Sequence, residues 1–262
     1  QHIVKGKITT KILKLLKIEY CILNNDKDLK KLDELAKKAL KKRKIVACLV
    51  KQDVLKYSKK LKNKNIIIKH INKNDFFNSF LSLISKNSNI ITSTGYTSRS
   101  LLKFRGQKKY QGKGKDFYMV GGMGHTSMVS LGVALKSKKK TYCIDGDGSL
   151  LMHMGSMHSV GLSNLNNFKH ILFNNNCHDS VGGQKTNTFM LNFKSIVNGF
   201  GYKNYLKIDN KKNIESVLKK FIKIKGPSFL EVIVDINRDK NLPRPKNLTL
   251  IKKNFINGNI KP

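Results

Sequence analysis

Two short apolar runs of β type frame the centre of the chain, TYCI at 141–144 and HILF at 170–173. Between them the period changes. Leu150, Leu151, Met154, Met157 and Gly161 fall on one helical stripe across 149–162. Strand, tight glycine turn, helix, strand is the βαβ unit. Such a helix spans roughly 21 Å, enough to return along a strand of about five or six residues at roughly 3.3 Å each. A parallel crossover leaves the ends of both strands on one edge of the sheet. The clusters that follow the strands, DGDGS at 145–149 and NNNCHDS at 174–180, therefore become neighbours. That edge is where open α/β sheets take their ligands.

The alternation continues on both sides. Residues 1–56 predict a helix at 8–16, a strand at 20–23, a Lys-rich helix at 29–42 and a strand at 44–50. Leu29, Leu32, Leu35, Ala36, Ala39 and Leu40 form the apolar face of the second helix. This is too little for a complete doubly wound domain. Residues 57–75 are Lys/Asn-rich, broken by an apolar run at 66–68, and read as a linker. A second domain, 76–262, begins with a helix at 76–85, a strand at 89–92 and a helix at 97–104. A polar loop at 105–118 and a glycine turn with helix at 121–135 lead to the central unit. After a loop at 176–188 come a helix at 192–199, a strand at 205–208, a helix at 214–224 and a strand at 229–236. The expected fold is α/β, a doubly wound parallel sheet covered by helices, preceded by a partial second α/β domain.

The sheet edge carries the candidate chemistry. Asp147 offers a carboxylate, Asn175 an amide oxygen, and Cys177 a backbone carbonyl two residues further on. Oxygen donors of this kind suit a hard cation such as Mg²⁺. Ser149 begins the following helix, whose free N–H groups favour an anion above the metal, so the pair suggests a diphosphate site. Thr94, Gly95, Tyr96, Thr97 and Ser98 follow another strand, where hydroxyls and N–H groups suit phosphate oxygens; Thr97 or Ser98 equally suits a helix N-cap. Gly121, Gly122, Met123 and Gly124 precede a helix rich in small residues, which reads as a turn with close helix packing or as backbone exposed to a ligand. His153 and His158 are five apart, so they do not form a metal pair at helical spacing and read as core or surface histidines. His125 and His178 each sit beside one of these turns. Leu151 occupies the third glycine position of a dinucleotide fingerprint, and the basic loop 106–114 lacks the spacing of a Walker motif.

The formal charge of +36 invites a nucleic-acid reading. Arginine occurs at 43, 99, 105, 238 and 244, so five of the 52 basic residues are arginine and 47 are lysine. The lysines are spread along the chain with abundant Asn and Ile, all encoded by A/T-rich codons, and Trp is absent. Nucleic-acid surfaces usually add arginine and stacking aromatics, so compositional drift is the preferred explanation and nucleic acid is not the expected partner. Cys21, Cys48, Cys143 and Cys177 show no Cys-x-x-Cys spacing and read as free thiols in a cytoplasmic protein. No apolar run approaches a membrane span. The start, Gln1-His2-Ile3, has neither an initiator Met nor a signal-peptide pattern, which predicts a continuation of a longer protein.

Four blocks carry a family resemblance: GDGSLLMHMGS at 146–156, NFKHILFNNNCHDSVGGQKT at 167–186, TGYTSRSLL at 94–102 and GGMGHTSMVSLGVAL at 121–135. Together with QHIVKGKITTKILKLL at 1–16 and LPRP at 242–245, they resemble phosphonopyruvate decarboxylases, which use thiamine diphosphate and Mg²⁺. The resemblance implies cofactor contacts at Gly95, Tyr96, Thr97, Gly122, Met123, Gly124, Gly146, Gly148, Ser149 and Asn175. It implies metal ligation at Asp147, Asn175 and Cys177, and catalytic or substrate-side roles for Met123, His178 and Gln184. Residues 1–56 correspond to the closing part of the domain that holds the aminopyrimidine ring. The activating glutamate of that domain lies ahead of Gln1 in the family, and Glu19 and Glu34 do not sit in its motif. The resemblance thus implies a small 2-oxo acid substrate, and a homo-oligomer or a complementary pyrimidine-domain subunit. Sulfopyruvate decarboxylase, a non-catalytic cofactor-binding remnant and a basic nucleic-acid-binding protein are the alternatives.

Overall fold

Helices and strands alternate along the chain in the computed structural model, which describes residues 2–55, 70–111, 115–236 and 241–257. Two compact units result, Gln1–Ile66 and Ile67–Pro262. The first holds α1 (His2–Leu15), β1 (Glu19–Leu23), α2 (Leu29–Lys42) and β2 (Val46–Val50). Its two strands pair in parallel, with Cys21 opposite Cys48. Asp28 organises the turn into α2. Its carboxylate accepts from the Asn24 backbone N–H (3.0 Å) and side-chain amide (2.9 Å), and pairs with Lys31. These partners hold its pKa below the usual carboxylate range. Leu23 and Leu35 are the buried hydrophobic residues described in this unit, while Leu15, Leu40 and Ile45 stay exposed.

Positions 57–69 of the expected linker, with the 66–68 run, lie outside the described residues. Its last five positions do not behave as a linker. Ile71 is buried and bridges to Val234. Asn72 caps α3 (Lys73–Leu83), which starts three residues before the expected helix at 76, by accepting from the Asn74 N–H at 2.8 Å.

The second unit is a six-stranded, all-parallel sheet. Its further elements are β3 (Asn89–Thr92), α4 (Tyr96–Arg105), β4 (Lys115–Tyr118), α5 (Thr126–Lys136), β5 (Thr141–Gly146), α6 (Asp147–Met152) and α7 (Ser156–Leu162). Then follow β6 (Phe168–Asn174), α8 (Phe193–Gly199), β7 (Asn204–Ile208), α9 (Ile214–Lys223), β8 (Ser228–Ile233) and α10 (Leu248–Asn257). The strand order is β4-β3-β5-β6-β8-β7. From β3 the chain steps to β4 on one side and then returns to β5 on the other. The loops leaving β3 and β5 diverge at this switch point, which opens a crevice at their carboxyl ends.

Side-chain alternation along the strands builds two cores. Tyr142, Ile144, Ile171, Phe173, Leu230 and Val232 meet Phe76, Phe77 and Phe80 of α3, Leu101 of α4 and Phe221 of α9. On the other face Cys143, Leu172 and Phe229 meet Leu131 of α5, Met157 and Val160 of α7, and Phe193 and Val197 of α8. Helices therefore cover both faces, as the uninterrupted apolar strands require.

Three elements differ from expectation. The helix expected over 149–162 is two helices, α6 starting at Asp147, with a break around His153 to Gly155. Both halves still pack inward through Leu150 and Met157. The polar loop at 105–118 contains the edge strand β4, whose Asp116 takes a bidentate pair from Arg105 (2.5 and 2.8 Å) and a hydrogen bond from Tyr118 (3.0 Å). A four-residue edge strand with one partner shows too little alternation to be read from its sequence. Near the end, α10 rests on β4, with Phe255 against Phe117 at 5.5 Å. Among the described residues no helix is long and apolar enough to cross a membrane.

One polar pair sits deep in the second core. His170 shares a 2.9 Å hydrogen bond with Tyr202, and burial pulls its pKa from 6.5 down to about 3. The unfolded chain binds a proton near 6.5 that the folded chain refuses. The neutral ring thus contributes fully above pH 6.5, and its contribution is lost as pH falls from there towards 3. In urea unfolding, wild-type stability should drop across this window by about 1.4 kcal/mol per pH unit more than that of His170→Phe. Equal slopes would rule out His170 as the titrating group.

Candidate functional site

Four connections reach the crevice at the carboxyl ends of β3 and β5. After β3, Ser93 and Thr94 lead through Gly95, at φ +93°, into α4, where Tyr96 and Thr97 line the cleft. The expected cap by Thr97 or Ser98 is absent, because Gly95 is the cap. Ser98 turns back, donating to the Ser93 carbonyl at 2.6 Å and meeting the Thr92 hydroxyl at 2.9 Å. Arg99 donates to the Leu242 and Pro243 carbonyls (2.6 and 3.3 Å) and lies over the Tyr96 ring. The LPRP segment is thereby tied to the start of α4.

After β5, Gly146, Asp147, Gly148 and Ser149 line the same cleft. The strand register pairs Gly146 with Phe173, so Asp147 lies just past the last pair, beside the Asn174–Asn175 step. Asp147 Oδ2 accepts from Thr186 at 2.6 Å, and the single Thr188 hydroxyl proton is shared between Asp147 Oδ2 (3.1 Å) and the Asn174 amide oxygen (2.8 Å). Burial raises its pKa, opposed by those hydroxyls, the Gly148 N–H and His178. Asp145 lies below, with its pKa pushed up to about 6 by burial. A Cβ at Gly148 would overlap the His178 ring where it now sits, so any side chain there displaces that imidazole.

The glycine turn ahead of α5 is joined to this one. Ser149 Oγ accepts from the Gly124 N–H at 3.0 Å. Gly124 has φ +88°, a conformation glycine adopts without strain. The bond sets the turn so that Met123 lines the cleft.

After β6, the Asn174 and Asn175 alternatives separate. The Asn174 amide donates to Glu231 at 2.8 Å, and its oxygen accepts from Thr188 (2.8 Å) and the Asn176 N–H (3.2 Å). Asn174 is consumed inside the sheet. Asn175 lines the cleft, with Cys177, His178, Asp179, Ser180 and Val181 following. The His178 carbonyl gathers the N–H groups of Val181, Gly182 and Gly183, while its own N–H donates to the Gln184 carbonyl at 2.8 Å.

The expected residues Tyr96, Thr97, Met123, Gly146, Asp147, Gly148, Ser149, Asn175, Cys177 and His178 thus share one cleft. Gly95, Gly122 and Gly124 shape its loops without lining it. The Gln184 side chain is exposed on the loop outside the lining of this cleft, and its carbonyl accepts from the His178 N–H. His125, His153 and His158 are exposed, the first two stacked at 4.4 Å.

Sequence reasoning missed Lys73, Ser93, Thr186, Thr188 and Glu231. Thr186 ends the 167–186 block without a role of its own there, Thr188 follows it in a polar loop, and Glu231 interrupts an apolar strand that otherwise reads as fully buried. Lys73 reaches the cleft from the first turn of α3. Burial lowers its pKa, opposed by Asp179, Asp147 and Cys177.

Residues 91–232 match the family model described as thiamine pyrophosphate enzyme, C-terminal TPP binding domain. The chain belongs to the thiamine pyrophosphate enzymes. The matched stretch runs from β3 to β8 and contains every cleft loop just described. The chain is 30% identical to a phosphonopyruvate decarboxylase of Streptomyces viridochromogenes over 63% of its own length and 40% of that protein. It is 32% identical to the sulfopyruvate decarboxylase subunit beta of Methanocaldococcus jannaschii over 48% of this chain and 65% of the subunit. With the corresponding beta subunit of Methanococcus maripaludis it is 30% identical over 64% of this chain and 88% of the subunit. A crystal structure described as a thiamin diphosphate-dependent enzyme from Mycobacterium smegmatis shares the fold, with TM-score 0.51 and 18% identity over 68% of this chain and 34% of that one. The chain therefore spans about two fifths of the length of the phosphonopyruvate decarboxylase it matches.

Proposed function

We propose that this chain supplies the diphosphate- and metal-binding half of a thiamine-diphosphate- and Mg²⁺-dependent decarboxylase, acting on 3-phosphonopyruvate to give phosphonoacetaldehyde and CO₂. The observation that carries the reading is the convergence of Asp147, Asn175 and Cys177 with the Thr94–Thr97 turn in one cleft at the sheet's switch point. The donors fit the group. One carboxylate, one amide oxygen and a backbone carbonyl form an oxygen set suited to Mg²⁺. The two threonine hydroxyls on Asp147 Oδ2 fix the orientation of that carboxylate.

In this reading Asp147, Asn175 and the Cys177 carbonyl hold the cation. Ser93, Thr94 and Thr97 hold phosphate oxygens through hydroxyl and N–H groups. Met123 acts as an apolar wedge that sets the cofactor's conformation. When bound, thiamine diphosphate supplies the electron sink for decarboxylation. His178, half-buried beside Gly148, presents an imidazole to the substrate, a group able to give or take a proton.

Among the described residues no glutamate lines the cleft. The proposal therefore includes a complementary segment, in the same polypeptide or as a partner chain, that carries the activating acid. Sulfopyruvate decarboxylation is the second reading. It is favoured by the 88% of the Methanococcus maripaludis beta subunit that the match covers.

Asp147→Ala should weaken Mg²⁺-dependent thiamine diphosphate binding by more than about a hundredfold, beyond what changes around a ligand cost. Asn175→Ala should weaken it less, since a neutral amide neutralises none of the metal's charge. Calorimetry checks both, and unchanged affinity in Asp147→Ala would remove the metal reading. For the reaction, the test is CO₂ release from phosphonopyruvate and sulfopyruvate in parallel. The 262-residue chain alone should release none, and adding a pyrimidine-domain segment should restore turnover, faster on phosphonopyruvate. Robust turnover by the chain alone would contradict the need for a complement, and faster turnover of sulfopyruvate would select the second reading.

A further inference from the structure

Lysine is abundant on this chain's surface, but Lys73 is held inside. Its side chain is 11% exposed, and the carboxylate it faces, Asp179, is 6% exposed. The contrast with Lys169 is informative. Lys169 is fully buried at the opposite end of β6, where it donates to the Ile224 carbonyl and, at 3.0 Å, to Ser228. Those acceptors satisfy it as a structural lysine. Lys73 Nζ lies 3.8 Å from Asp179 Oδ2, beyond the roughly 2.7–2.9 Å of a charge-assisted hydrogen bond. Burying an ammonium is costly unless its donors find acceptors. This ammonium lines the cleft, beside Asp147, with donor capacity left over, and it is the one Lys or Arg among the described lining residues.

The charge balance of the occupied cleft makes the placement meaningful. With its thiazolium counted, the cofactor and a divalent cation enter close to neutral, so the negative excess in the cleft is that of Asp147 and Asp179, which line it. A further cation on the protein would offset that excess. We propose that Lys73 donates to the diphosphate oxygens of the cofactor, and that its ion pair with Asp179 serves to hold the ammonium within reach. The inference rests on the diphosphate reading of the cleft given above. It adds a positively charged contact from α3, which precedes the 91–232 stretch matched by the family model.

Calorimetric titration of the full chain with thiamine diphosphate in excess Mg²⁺ tests it. Thiamine without phosphates is titrated alongside, and melting temperatures are read without ligand. Lys73→Met should bind thiamine diphosphate at least about tenfold more weakly. Lys73→Arg, which keeps the charge, should stay within about threefold of wild type. Lys73→Met/Asp179→Asn decides between binding and charge balance, and does so even where the single variant unfolds. It removes both charges, so a merely structural pair predicts restored affinity, while contact with the diphosphate predicts affinity still at least about tenfold down. Wild-type affinity in either Met-bearing variant would overturn the role of Lys73 and leave the cleft reading standing. Failure of wild type to bind thiamine diphosphate even with the pyrimidine-domain segment added would overturn the cleft reading, and this inference with it.

Discussion

A run of hydrogen bonds, buried at its centre and part-buried at its ends, crosses the sheet and ends at the cleft. The Tyr205 hydroxyl on β7 donates to Glu231 on β8 at 2.5 Å, and Glu231 accepts from the Asn174 amide on β6. Asn174 accepts from Thr188, whose hydroxyl also contacts Asp147 at the end of β5, alongside Thr186. Each link satisfies a polar group that would cost about 1–3 kcal/mol if buried unpaired. Asn174 is buried, its NH2 donates to Glu231 and its oxygen already accepts from Thr188 and the Asn176 N–H, so it has no acceptor to spare for a cation. The next residue takes that place. One structural constraint thereby orients the Asp147 carboxylate and makes Asn175 the amide that faces the cleft.

The cleft is a local exception to the chemistry of the rest of the chain. Sixteen acidic residues stand against 52 basic ones, yet Asp147 and Asp179 line this one opening. A carboxylate whose pKa burial raises is poorly placed for its own sake, and a cation beside it reverses the penalty. The surrounding positive charge is diffuse lysine, whereas the Asp147 carboxylate is fixed by loop hydroxyls and Asp179 faces the buried Lys73. Specific chemistry here follows from placement, not from net charge.

Much of this was legible in the sequence where periodicity and turn chemistry agreed. The helix at 29–42 and the strand at 89–92 fall where the apolar pattern puts them, since each buries one clean face or run. DGDGS and NNNCHDS come together because a βαβ crossover leaves them no alternative edge. The break near His153 was not legible, because its apolar stripe continues in register through both halves. Nor was β4, a short edge strand stabilised by a side-chain pair to Arg105 rather than by apolar alternation. Lys73 was hidden by the very abundance of lysine, and only its burial distinguishes it. The backbone role of Gln184, whose carbonyl holds the His178 N–H, was likewise not legible, since its motif speaks only of the side chain.

In the proposed function Asp147, Asn175 and Cys177 hold a cation that anchors a diphosphate at the switch point. A crystal structure grown with Mg²⁺ and thiamine diphosphate tests it most directly. The metal should be coordinated by the Asp147 carboxylate, the Asn175 amide oxygen and the Cys177 carbonyl at about 2.0–2.1 Å, with the diphosphate against the Thr94–Thr97 turn. A cation bound through Asn174, or a diphosphate bound away from this cleft, would contradict it.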